Sequence, residues 1–403
     1  MTIAEKKIVA EPQSQPKSVT ILGATGSVGC NTVELIEQNP AAYQVEALTA
    51  LTNVELLADQ AQRLGAKLAV IGDDSLYGDL QDALRGSDVE AAAGSAALVD
   101  AAARPADWVM AAIVGAAGLP PTLAAVCRGA TIALANKECL VCAGDLVMRE
   151  VAVSGATLLP VDSEHNAIFQ VFDFENPDHV ARIILTASGG PFRQNSKAQM
   201  AEATPAQAVA HPNWDMGAKI SVDSATLMNK GLELIEAAHL FPVPESAIDV
   251  VVHPQSVIHS MVEYVDGGIL AQMGTPDMRT PIAHTLAWPR RMPVKSPRLN
   301  FAEIDALTFE APDNDRFPAL NMARQALQIG GAAPTILNAA NEVAVQGFLD
   351  GRIGFLDIVA VVEETLTING AHSLDGLEAV SSADAQARRM ATEIIAKNGK
   401  FQK

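Results

Sequence analysis

Two acidic side chains stand two residues apart near the middle of this sequence, and a third follows further along the chain. Asp162 and Glu164 come after a mainly apolar run at 156–161, and Glu233 closes the segment Met-Asn-Lys-Gly-Leu-Glu. The apolar run predicts a strand, and in an extended chain residues i and i+2 point to the same side. Carboxylate oxygens are the ligands that Mg²⁺ and Mn²⁺ prefer, whereas zinc sites use mainly thiolate and imidazole groups. The pattern therefore predicts a magnesium or manganese site at Asp162, Glu164 and Glu233.

Hydroxyl and amide side chains cluster just before the third carboxylate. The segment 220–226 is rich in hydroxyls, among them Ser224, and it leads into Asn229 and Lys230. Ser188 supplies a further hydroxyl beside two glycines. Such groups near the start of a helix can hold a phosphate by hydrogen bonds and one point charge. Each segment taken alone could equally be a turn or a helix cap.

A polar loop with an aromatic residue lies between these segments. It runs from His211 to Gly217 and carries Trp214. The tryptophan could anchor the loop to the body of the protein, or the loop could be a lid that excludes water from a substrate. Two further histidines, His253 and His259, flank a Pro-Gln-Ser segment. The residues alone leave open whether these histidines belong to the core or to a site.

A glycine turn near the N-terminus has the sequence Gly-Ala-Thr-Gly-Ser-Val-Gly at 23–29. An apolar run at 18–22 precedes it and a helical pattern at 30–38 follows, which is the context expected of a dinucleotide-binding turn. Glycines there let the backbone approach a pyrophosphate at the helix N-terminus. The alternative is a turn that only packs the helix on a sheet. The end of the next predicted strand, at 50–53, has no acidic residue that would repel the 2′-phosphate of NADP, which favours NADP over NAD. It also has no lysine or arginine that would bind this phosphate.

The elements that must position these groups follow from the apolar periods. Between 18 and 160, short strand patterns alternate with helical ones, which predicts a Rossmann-like doubly wound parallel sheet. After 161, strands at 182–187, 249–252 and 269–272 are separated by longer polar loops, which fits an α+β domain. The fold class is therefore α/β. The predicted domains are a disordered tail at 1–17, an NADPH-binding domain at 18–160, a catalytic and metal-binding domain at 161–287, a linker at 288–314 and a small helical domain at 315–403.

The balance of charged and apolar residues excludes several functional classes. The chain has 403 residues, with 47 acidic and 28 basic side chains, and its net charge of −19 would repel a nucleic acid backbone. We find no run of the ~20 apolar residues that a membrane-spanning helix needs. Four cysteines are too few for a disulfide framework, and Cys139 and Cys142 have no second pair to complete a zinc site. We expect free thiols and a cytoplasmic protein without nucleic acid or membrane partners.

Seven motifs, in order along the chain, resemble those of the 1-deoxy-D-xylulose 5-phosphate reductoisomerase family. They are Gly-Ala-Thr-Gly-Ser-Val-Gly at 23–29, Leu-Ala-Asn-Lys-Glu at 134–138, Val-Asp-Ser-Glu-His-Asn at 161–166, Ser-Gly-Gly-Pro-Phe at 188–192, His-Pro-Asn-Trp at 211–214, Lys-Ile-Ser-Val-Asp-Ser-Ala-Thr at 219–226 and His-Pro-Gln-Ser-Val-Ile-His-Ser-Met at 253–261. The resemblance implies a homodimeric enzyme of the non-mevalonate isoprenoid precursor pathway. Such an enzyme uses NADPH and Mg²⁺ or Mn²⁺ to rearrange and reduce 1-deoxy-D-xylulose 5-phosphate to 2-C-methyl-D-erythritol 4-phosphate.

The same resemblance implies roles for individual residues. Catalytic roles fall to Lys137, Glu164 and His259, and the metal ligands are the three carboxylates already named. Trp214 and Met216 would belong to a lid. The substrate would contact Ser163, Glu164, Ser188, His211, Trp214, Ser224, Asn229, Lys230 and Glu233. The cofactor would contact Thr25, Gly26, Ser27, Val28, Asn53, Asn136, Glu138 and Gly217. Of the residues just after the second strand, Leu51, Thr52 and Asn53, only Asn53 matches the basic or amide residue common in relatives.

Three other classes of protein share part of this pattern. A semialdehyde dehydrogenase needs a nucleophilic cysteine in its second domain, but no cysteine follows Cys142. A dinucleotide-sensing regulator would need a module that binds DNA or a partner, and the acidic balance argues against one. A metal-dependent phosphatase would account for the carboxylates but would leave the glycine turn without a role.

Overall fold

Two sheets organise the chain, whose computed structural model describes residues 15–210, 214, 216–369 and 372–398. The first sheet has seven strands, all paired in parallel. Its strands are β1 Lys17–Leu22, β2 Tyr43–Ala50, β3 Leu68–Ile71, β4 Glu90–Ala93, β5 Trp108–Ala111, β6 Thr131–Leu134 and β7 Thr157–Pro160. The helices of this part are α1 Ser27–Glu37, α2 Val54–Leu64, α3 Tyr77–Ala83, α4 Gly94–Ala103, α5 Leu119–Cys127 and α6 Glu138–Ser154.

The strand order in the first sheet is β4-β3-β2-β1-β5-β6-β7. The chain moves outward from β1 to β4 and then returns to the other side of β1, so the order reverses between β1 and β5. This is the switch point at which doubly wound sheets bind ligands. All four residues of β3 and of β5 are buried, as expected for parallel strands covered by helices on both faces. The predicted α/β fold with a Rossmann-like sheet is confirmed.

Two details of this sheet differ from the prediction. Strand β4 was not predicted, because three of its four residues are alanines, which have little preference for strands. The apolar run at 108–114 predicts a longer strand, but β5 ends at Ala111, and the Val114 side chain beyond it is exposed. The predicted tail at 1–17 lies mostly outside the described residues, and Lys17 already belongs to β1.

The second sheet has four strands in the order β11-β10-β8-β9. They are β8 Val180–Ala187, β9 Ile248–Val252, β10 Ile258–Tyr264 and β11 Ile269–Met273. β8 and β9 are parallel, whereas β10 is antiparallel to both β8 and β11. Strand β10 was not predicted as a strand. Two helices, α7 Ser163–Val171 and α11 Met228–Leu240, bury Ile168 and Leu234 against the same apolar cluster as Ile183 and Val262 of this sheet.

Helices surround both sheets and complete the chain. The shorter helices that follow β8 in the chain are α8 Lys197–Ala201, α9 Pro205–Val209, α10 Ala218–Thr226 and, after β11, α12 Arg279–Ala287. The last four are α13 Ala319–Ile329, α14 Ala333–Leu349, α15 Asp357–Asn369 and α16 Leu377–Asn398. These four share one apolar core with α11, so the helical end of the chain supports the site from behind. Among the described helices, none is long and apolar enough to cross a membrane.

One helix crosses from the second part of the chain to the first. Ile282 and Leu286 of α12 lie in the core of the first sheet, and the Trp108 Nε1–H donates to the Thr285 carbonyl at 3.1 Å. The predicted boundary at 287 grouped α12 with the catalytic domain, whereas the helix packs against the cofactor-binding sheet. The two parts are therefore tied together by side-chain packing on either side of the cavity described next.

Candidate active site

The first two carboxylates lie at the start of a helix rather than on a strand. Asp162 is the N-cap of α7, and its Oδ1 accepts from the backbone N–H of Glu164 at 3.2 Å and of His165 at 3.5 Å. Glu164 occupies the first turn. The extended-chain interpretation of this pair was therefore wrong, because an aspartate followed by a helical sequence ends β7 and caps the next helix. The two side chains still converge, by helix geometry instead of strand geometry.

The third carboxylate comes from α11, which packs across the start of α7. Segment 220–226, predicted to lead into a helix start, is itself most of helix α10, and the break between α10 and α11 falls at Leu227, whose φ is +62°. Asn229 and Lys230 then lie in the first turn of α11, and Glu233 one turn further on. One oxygen each from Asp162, Glu164 and Glu233 lies within 4.8 Å of the other two. Three hard oxygen ligands at this spacing fit Mg²⁺ or Mn²⁺.

Two lysines lie among these carboxylates. Lys137 Nζ donates to Asp162 Oδ2 at 2.8 Å, to Asn229 Oδ1 at 2.9 Å and to Glu233 Oε1 at 3.2 Å. Lys230 Nζ is 3.1 Å from Glu164 Oε1 and also donates to Glu233 Oε2. Lys137 precedes α6 at the end of the Ala-Asn-Lys turn, so the first sheet contributes directly to a site built mainly on α7 and α11.

Burial and charge shift the pKa values of these groups in opposite directions. Burial and the neighbouring Glu233 carboxylate raise the pKa of Glu164 to about 7. Burial also opposes ionisation of Asp162, but Lys137 and other nearby cations hold its pKa well below the usual range. Burial would lower the pKa of Lys137, yet Asp162 and Glu233 hold it well above its ordinary value. The lysines and Asp162 are therefore charged at neutral pH, while Glu164 titrates near it.

A buried histidine–glutamate pair braces the site and was not identified from the sequence. His165 Nε2 is 2.9 Å from the Glu233 carbonyl oxygen, and its Nδ1 is 3.0 Å from Glu236 Oε2. Burial disfavours the charged imidazole, but Glu236 and Asp162 raise the pKa of His165 to about 9. The charged ring then forms an ion pair with Glu236, and its Nε2 can donate to the Glu233 carbonyl oxygen. The only sequence signal was spacing, since Glu236 lies three residues after Glu233 on one helix face.

One cavity of about 200 Å³ joins the carboxylates to the glycine turn. Thirteen of the residues predicted for the site line it: Ser27, Val28, Lys137, Asp162, Ser163, Glu164, Ser188, Trp214, Gly217, Ser224, Asn229, Lys230 and Glu233. Met216, expected in the lid, also lines it. Further lining residues that the sequence did not single out include Asn31, Ser256 and Met278.

Two serines approach each other at one end of this cavity. Gly189 and Gly190 follow β8 with φ values of +83° and +66°, which residues with a side chain rarely adopt. A Cβ on Gly190 would stand 2.7 Å from the Ser224 carbonyl oxygen. The glycines therefore let the segment after Ser188 lie directly against α10. This contact places the Ser188 and Ser224 hydroxyls in one cavity with Asn229 and Lys230, as a phosphate site would require.

Two glycines of the glycine turn are required for packing, whereas the third leaves space that a ligand can occupy. A Cβ on Gly23 would stand 2.6 Å from the Ala112 carbonyl oxygen, and one on Gly29 would collide with the Gly23 carbonyl oxygen, so the fold itself requires both glycines. Gly26 is different, because its φ is −76° and its nearest neighbour would lie 3.6 Å from an added Cβ. Gly26 is also the N-cap of α1 and has no side-chain cap. The turn therefore leaves an open helix N-terminus that fits a pyrophosphate.

Several residues predicted for the cofactor lie beside the cavity rather than in its lining: Thr25, Gly26, Asn53, Asn136 and Glu138. Asn53 caps α2, and its side chain accepts from the Leu56 N–H at 3.1 Å. Asn136 Nδ2 donates to the Gly115 carbonyl at 2.9 Å, and its buried Oδ1 has no partner among the described residues, which leaves an acceptor for a ligand. Glu138 is 3.0 Å from Lys219 Nζ, in a buried ion pair.

The histidines take different places. His253 is fully buried, with Nδ1 2.9 Å from the Thr308 carbonyl oxygen and its ring stacked on Phe309, so it belongs to the core. His259 lies outside the cavity lining, with its ring centroid 6.2 Å from that of Trp214, and burial lowers its pKa to about 4. A neutral His259 beside Trp214 is placed to orient that ring. His211 lies outside the described residues.

The cysteines carry no site. All four thiols are free, and burial raises the pKa of Cys139 to about 12. Cys139 and Cys142 lie in the apolar core under α6. A protonated, buried thiol is not a nucleophile, so the semialdehyde dehydrogenase alternative has no support in this structure.

The sheet topology and the cavity together define a class of protein. A doubly wound sheet presents a glycine turn and an open helix N-terminus at its switch point. A second α/β part adds a carboxylate-rich pocket that fits a divalent cation. The protein belongs to the class of two-part, dinucleotide-binding oxidoreductase folds with an acidic metal pocket.

Comparison with known proteins identifies the family within this class. A family model described as 1-deoxy-D-xylulose 5-phosphate reductoisomerase matches residues 19–144. A second model, for the C-terminal domain of that reductoisomerase, matches residues 158–241, and a third, described as the DXP reductoisomerase C-terminal domain, matches residues 273–390. The chain is 65% identical over 380 residues to the reductoisomerase of Rhodospirillum centenum, and the aligned region covers 94% of each chain. It is 60% identical over 382 residues to that of Zymomonas mobilis, covering 95% of this chain and 98% of the relative. This chain belongs to the 1-deoxy-D-xylulose 5-phosphate reductoisomerase family.

Solved structures agree with this assignment over nearly the whole chain. The Zymomonas mobilis enzyme in complex with NADPH superposes with a TM-score of 0.90 at 59% identity and covers 94% of this chain and 99% of its own. A second reductoisomerase, in complex with NADPH, fosmidomycin and magnesium, gives a TM-score of 0.89 at 44% identity and covers 94% and 98%. The family and the fold predicted from the sequence are therefore confirmed.

Proposed function

We propose that this protein converts 1-deoxy-D-xylulose 5-phosphate into 2-C-methyl-D-erythritol 4-phosphate, using NADPH and Mg²⁺ or Mn²⁺. One observation carries the proposal: a single cavity is lined both by Ser27 and Val28 of the glycine turn and by Asp162, Glu164 and Glu233. A reaction that couples metal-assisted rearrangement to hydride transfer needs both sites in one enclosure. A phosphatase would use only the carboxylates.

The cofactor and the metal would each supply one part of the chemistry. When bound, the divalent cation polarises the ketone and hydroxyl oxygens of the substrate, and NADPH provides the hydride for the rearranged aldehyde. The N-terminus of α1 would hold the cofactor's pyrophosphate, with Gly26 leaving room for it. Asn136, whose buried Oδ1 has no partner among the described residues, would be a further contact to the cofactor.

The chain's own groups would orient the substrate. Ser188, Ser224, Asn229 and Lys230 would bind the phosphate by hydrogen bonds and one positive charge. Lys137 lies among the carboxylates and would contact the hydroxylated end of the sugar. Trp214 and Met216 line the cavity and would act as part of a lid that excludes water. Binding energy from the phosphate would thus help to align the reacting end.

The direct test is the loss of NADPH absorbance on addition of 1-deoxy-D-xylulose 5-phosphate. Oxidation that depends on added Mg²⁺ or Mn²⁺ and stops with a chelator supports the proposal. Absence of oxidation with both NADPH and NADH would contradict it. Release of inorganic phosphate from the substrate without NADPH oxidation would point to the phosphatase instead.

We also propose a cytoplasmic homodimer. The four free thiols suit a reducing compartment. Strand β11 forms an edge of the second sheet, and Ile269 and Leu270 are each about half exposed, at 50% and 51%. An apolar sheet edge of this kind is stabilised by pairing with a second copy. Light scattering that gives the mass of one chain would contradict the dimer, and a paired charge substitution at Ile269 and Leu270 should dissociate it.

A further inference from the structure

Every oxygen of the three metal-site carboxylates has a polar partner within the chain. The Asp162 carboxylate contacts two backbone N–H groups and Lys137. The Glu164 carboxylate contacts Ser163 and Lys230. The Glu233 carboxylate contacts Lys137, Asn229 and Lys230. A cation that bound all three carboxylates would have to share or replace these contacts. The metal pocket therefore contains its own internal cations.

The charges of this cluster nearly balance. When all three carboxylates are ionised they face two ammonium groups, which leaves one negative charge. Lys137 and Lys230 are only 7% and 4% exposed, so water screens them little. A divalent cation placed among the same oxygens would lie within a few ångströms of both ammonium groups and would repel them strongly in this buried environment.

We propose that a divalent cation competes with Lys137 and Lys230 for the carboxylate oxygens, and that the displaced ammonium groups turn to the anionic substrate. The inference rests on the proposed function, because it assigns that substrate to this cavity. The two lysines lie on opposite sides of Glu233: Lys137 contacts its Oε1 and Lys230 its Oε2. Lys230 lies next to Asn229 in the first turn of α11 and lines the cavity with Ser188 and Ser224, so a short rotation carries its ammonium group toward the predicted phosphate site.

This exchange links metal binding to substrate binding. Cation binding frees two positive charges for the substrate, and an anionic substrate that engages those charges lowers the cost of cation binding. The coupling must be reciprocal, because both ligands shift the same equilibrium. Lys137 and Lys230 therefore have two opposing effects: they weaken the binding of the metal, and they strengthen the binding of the substrate.

The test measures Mn²⁺ affinity without substrate or cofactor, by titration of free Mn²⁺. Lys230→Met and Lys137→Met should each bind Mn²⁺ about tenfold more tightly than the unaltered protein, since one repelling charge is gone. Lys67→Met, which removes an ammonium from an ion pair with Glu46 outside the cavity, should leave Mn²⁺ affinity unchanged. Lys230→Arg keeps the charge and should stay within about twofold. Unchanged or weaker Mn²⁺ binding in both methionine variants would overturn the proposal.

A second measurement uses the unaltered protein and so does not depend on how the variants fold. Adding 1-deoxy-D-xylulose 5-phosphate should tighten Mn²⁺ binding about tenfold or more. If the variants fold, this effect should shrink in Lys230→Met. Equal Mn²⁺ affinity with and without a substrate that is turned over would overturn the exchange but leave the proposed function intact. Tighter Mn²⁺ binding by the lysine variants, in a protein that does not oxidise NADPH with this substrate, would support the competition and reject the proposed function.

Discussion

The three carboxylates at the centre of the site occupy different electrostatic environments. Asp162 accepts two backbone N–H groups at a helix start, which favours its charged form. Burial and the neighbouring Glu233 carboxylate raise the pKa of Glu164 to about 7. A cation that binds here must therefore displace a proton from Glu164 but not from Asp162.

This difference predicts a pH dependence of metal binding. The pKa of Glu164 is raised above its ordinary value, so below about pH 7 the folded protein holds a proton that the cation must displace. Mn²⁺ affinity should rise about tenfold per pH unit up to about pH 7 and level off above it. Calorimetric or spectroscopic titration of the substrate-free protein measures this. Glu164→Gln should bind Mn²⁺ more weakly and without this slope; a flat profile in the unaltered protein would contradict the assignment.

At the scale of elements, helix starts position most of the functional groups. α1 offers an open N-terminus at Gly26, α7 begins at Asp162, and α11 begins two residues before Lys230. Each helix starts where a glycine, an aspartate or a left-handed residue ends the preceding segment. The polar ends of helices, rather than their faces, thus meet at the cavity.

The glycine turn allows packing and cofactor binding to be tested separately. Gly29→Ala should destabilise the protein severely, because the new Cβ would collide with the Gly23 carbonyl oxygen. Gly26→Ala meets nothing closer than 3.6 Å and should fold normally, yet its methyl group would stand where the pyrophosphate approaches. We expect thermal melts to separate the two variants. NADPH titration should show at least about tenfold weaker binding for Gly26→Ala. Equal NADPH affinity in Gly26→Ala would remove this residue from the cofactor site.

The sequence alone predicted the parts of the site that have local signals. The glycine turn, the Asp-Ser-Glu segment and the Asn-Lys pair each carry a recognisable pattern, and the structure brings them to one cavity. His165 and Glu236 carry no such pattern, because their contact exists only once α7 packs on α11. Strand β4 was missed and Asp162 was wrongly predicted to lie in extended chain, both because the surroundings overrode local preference. β4 is rich in alanine but pairs with a neighbouring strand, and Asp162 caps a helix.

At the scale of the whole molecule, a largely buried polar network connects α6, α10 and the C-terminal helix α14. Lys219 of α10 is 3.0 Å from Glu138 of α6 and 2.9 Å from Asp223. Asn341 of α14 donates to the other Asp223 oxygen at 2.7 Å. Glu138 directly follows Lys137, and α10 carries Ser224, so this network fixes the helices on both sides of the cavity. Glu138, predicted to contact the cofactor, is thus placed to position its neighbours.

Removing the cation of this network should destabilise the whole protein. Lys219→Met leaves Glu138 and Asp223 buried without a counter-ion, a change that costs about 3 kcal/mol or more in comparable cases. Urea unfolding measures this loss. Lys67→Met breaks a single ion pair whose lysine is 46% exposed, and should cost less than Lys219→Met, which removes the counter-ion of two buried carboxylates.

The pH dependence identifies the cause of that loss. Despite its burial, Lys219 lowers the pKa of Glu138, so in the unaltered protein this carboxylate contributes stability at neutral pH that is lost as the pH falls below its ordinary pKa. In Lys219→Met the buried Glu138 carboxyl loses its counter-ion, so protonation at lower pH relieves the cost of burying its charge. The stability gap between the two proteins should therefore narrow from about pH 7 to about pH 5. A gap that stays constant over that range would show that Lys219 stabilises the fold by packing of its methylene chain, and the network would then be a consequence of the fold rather than one of its supports.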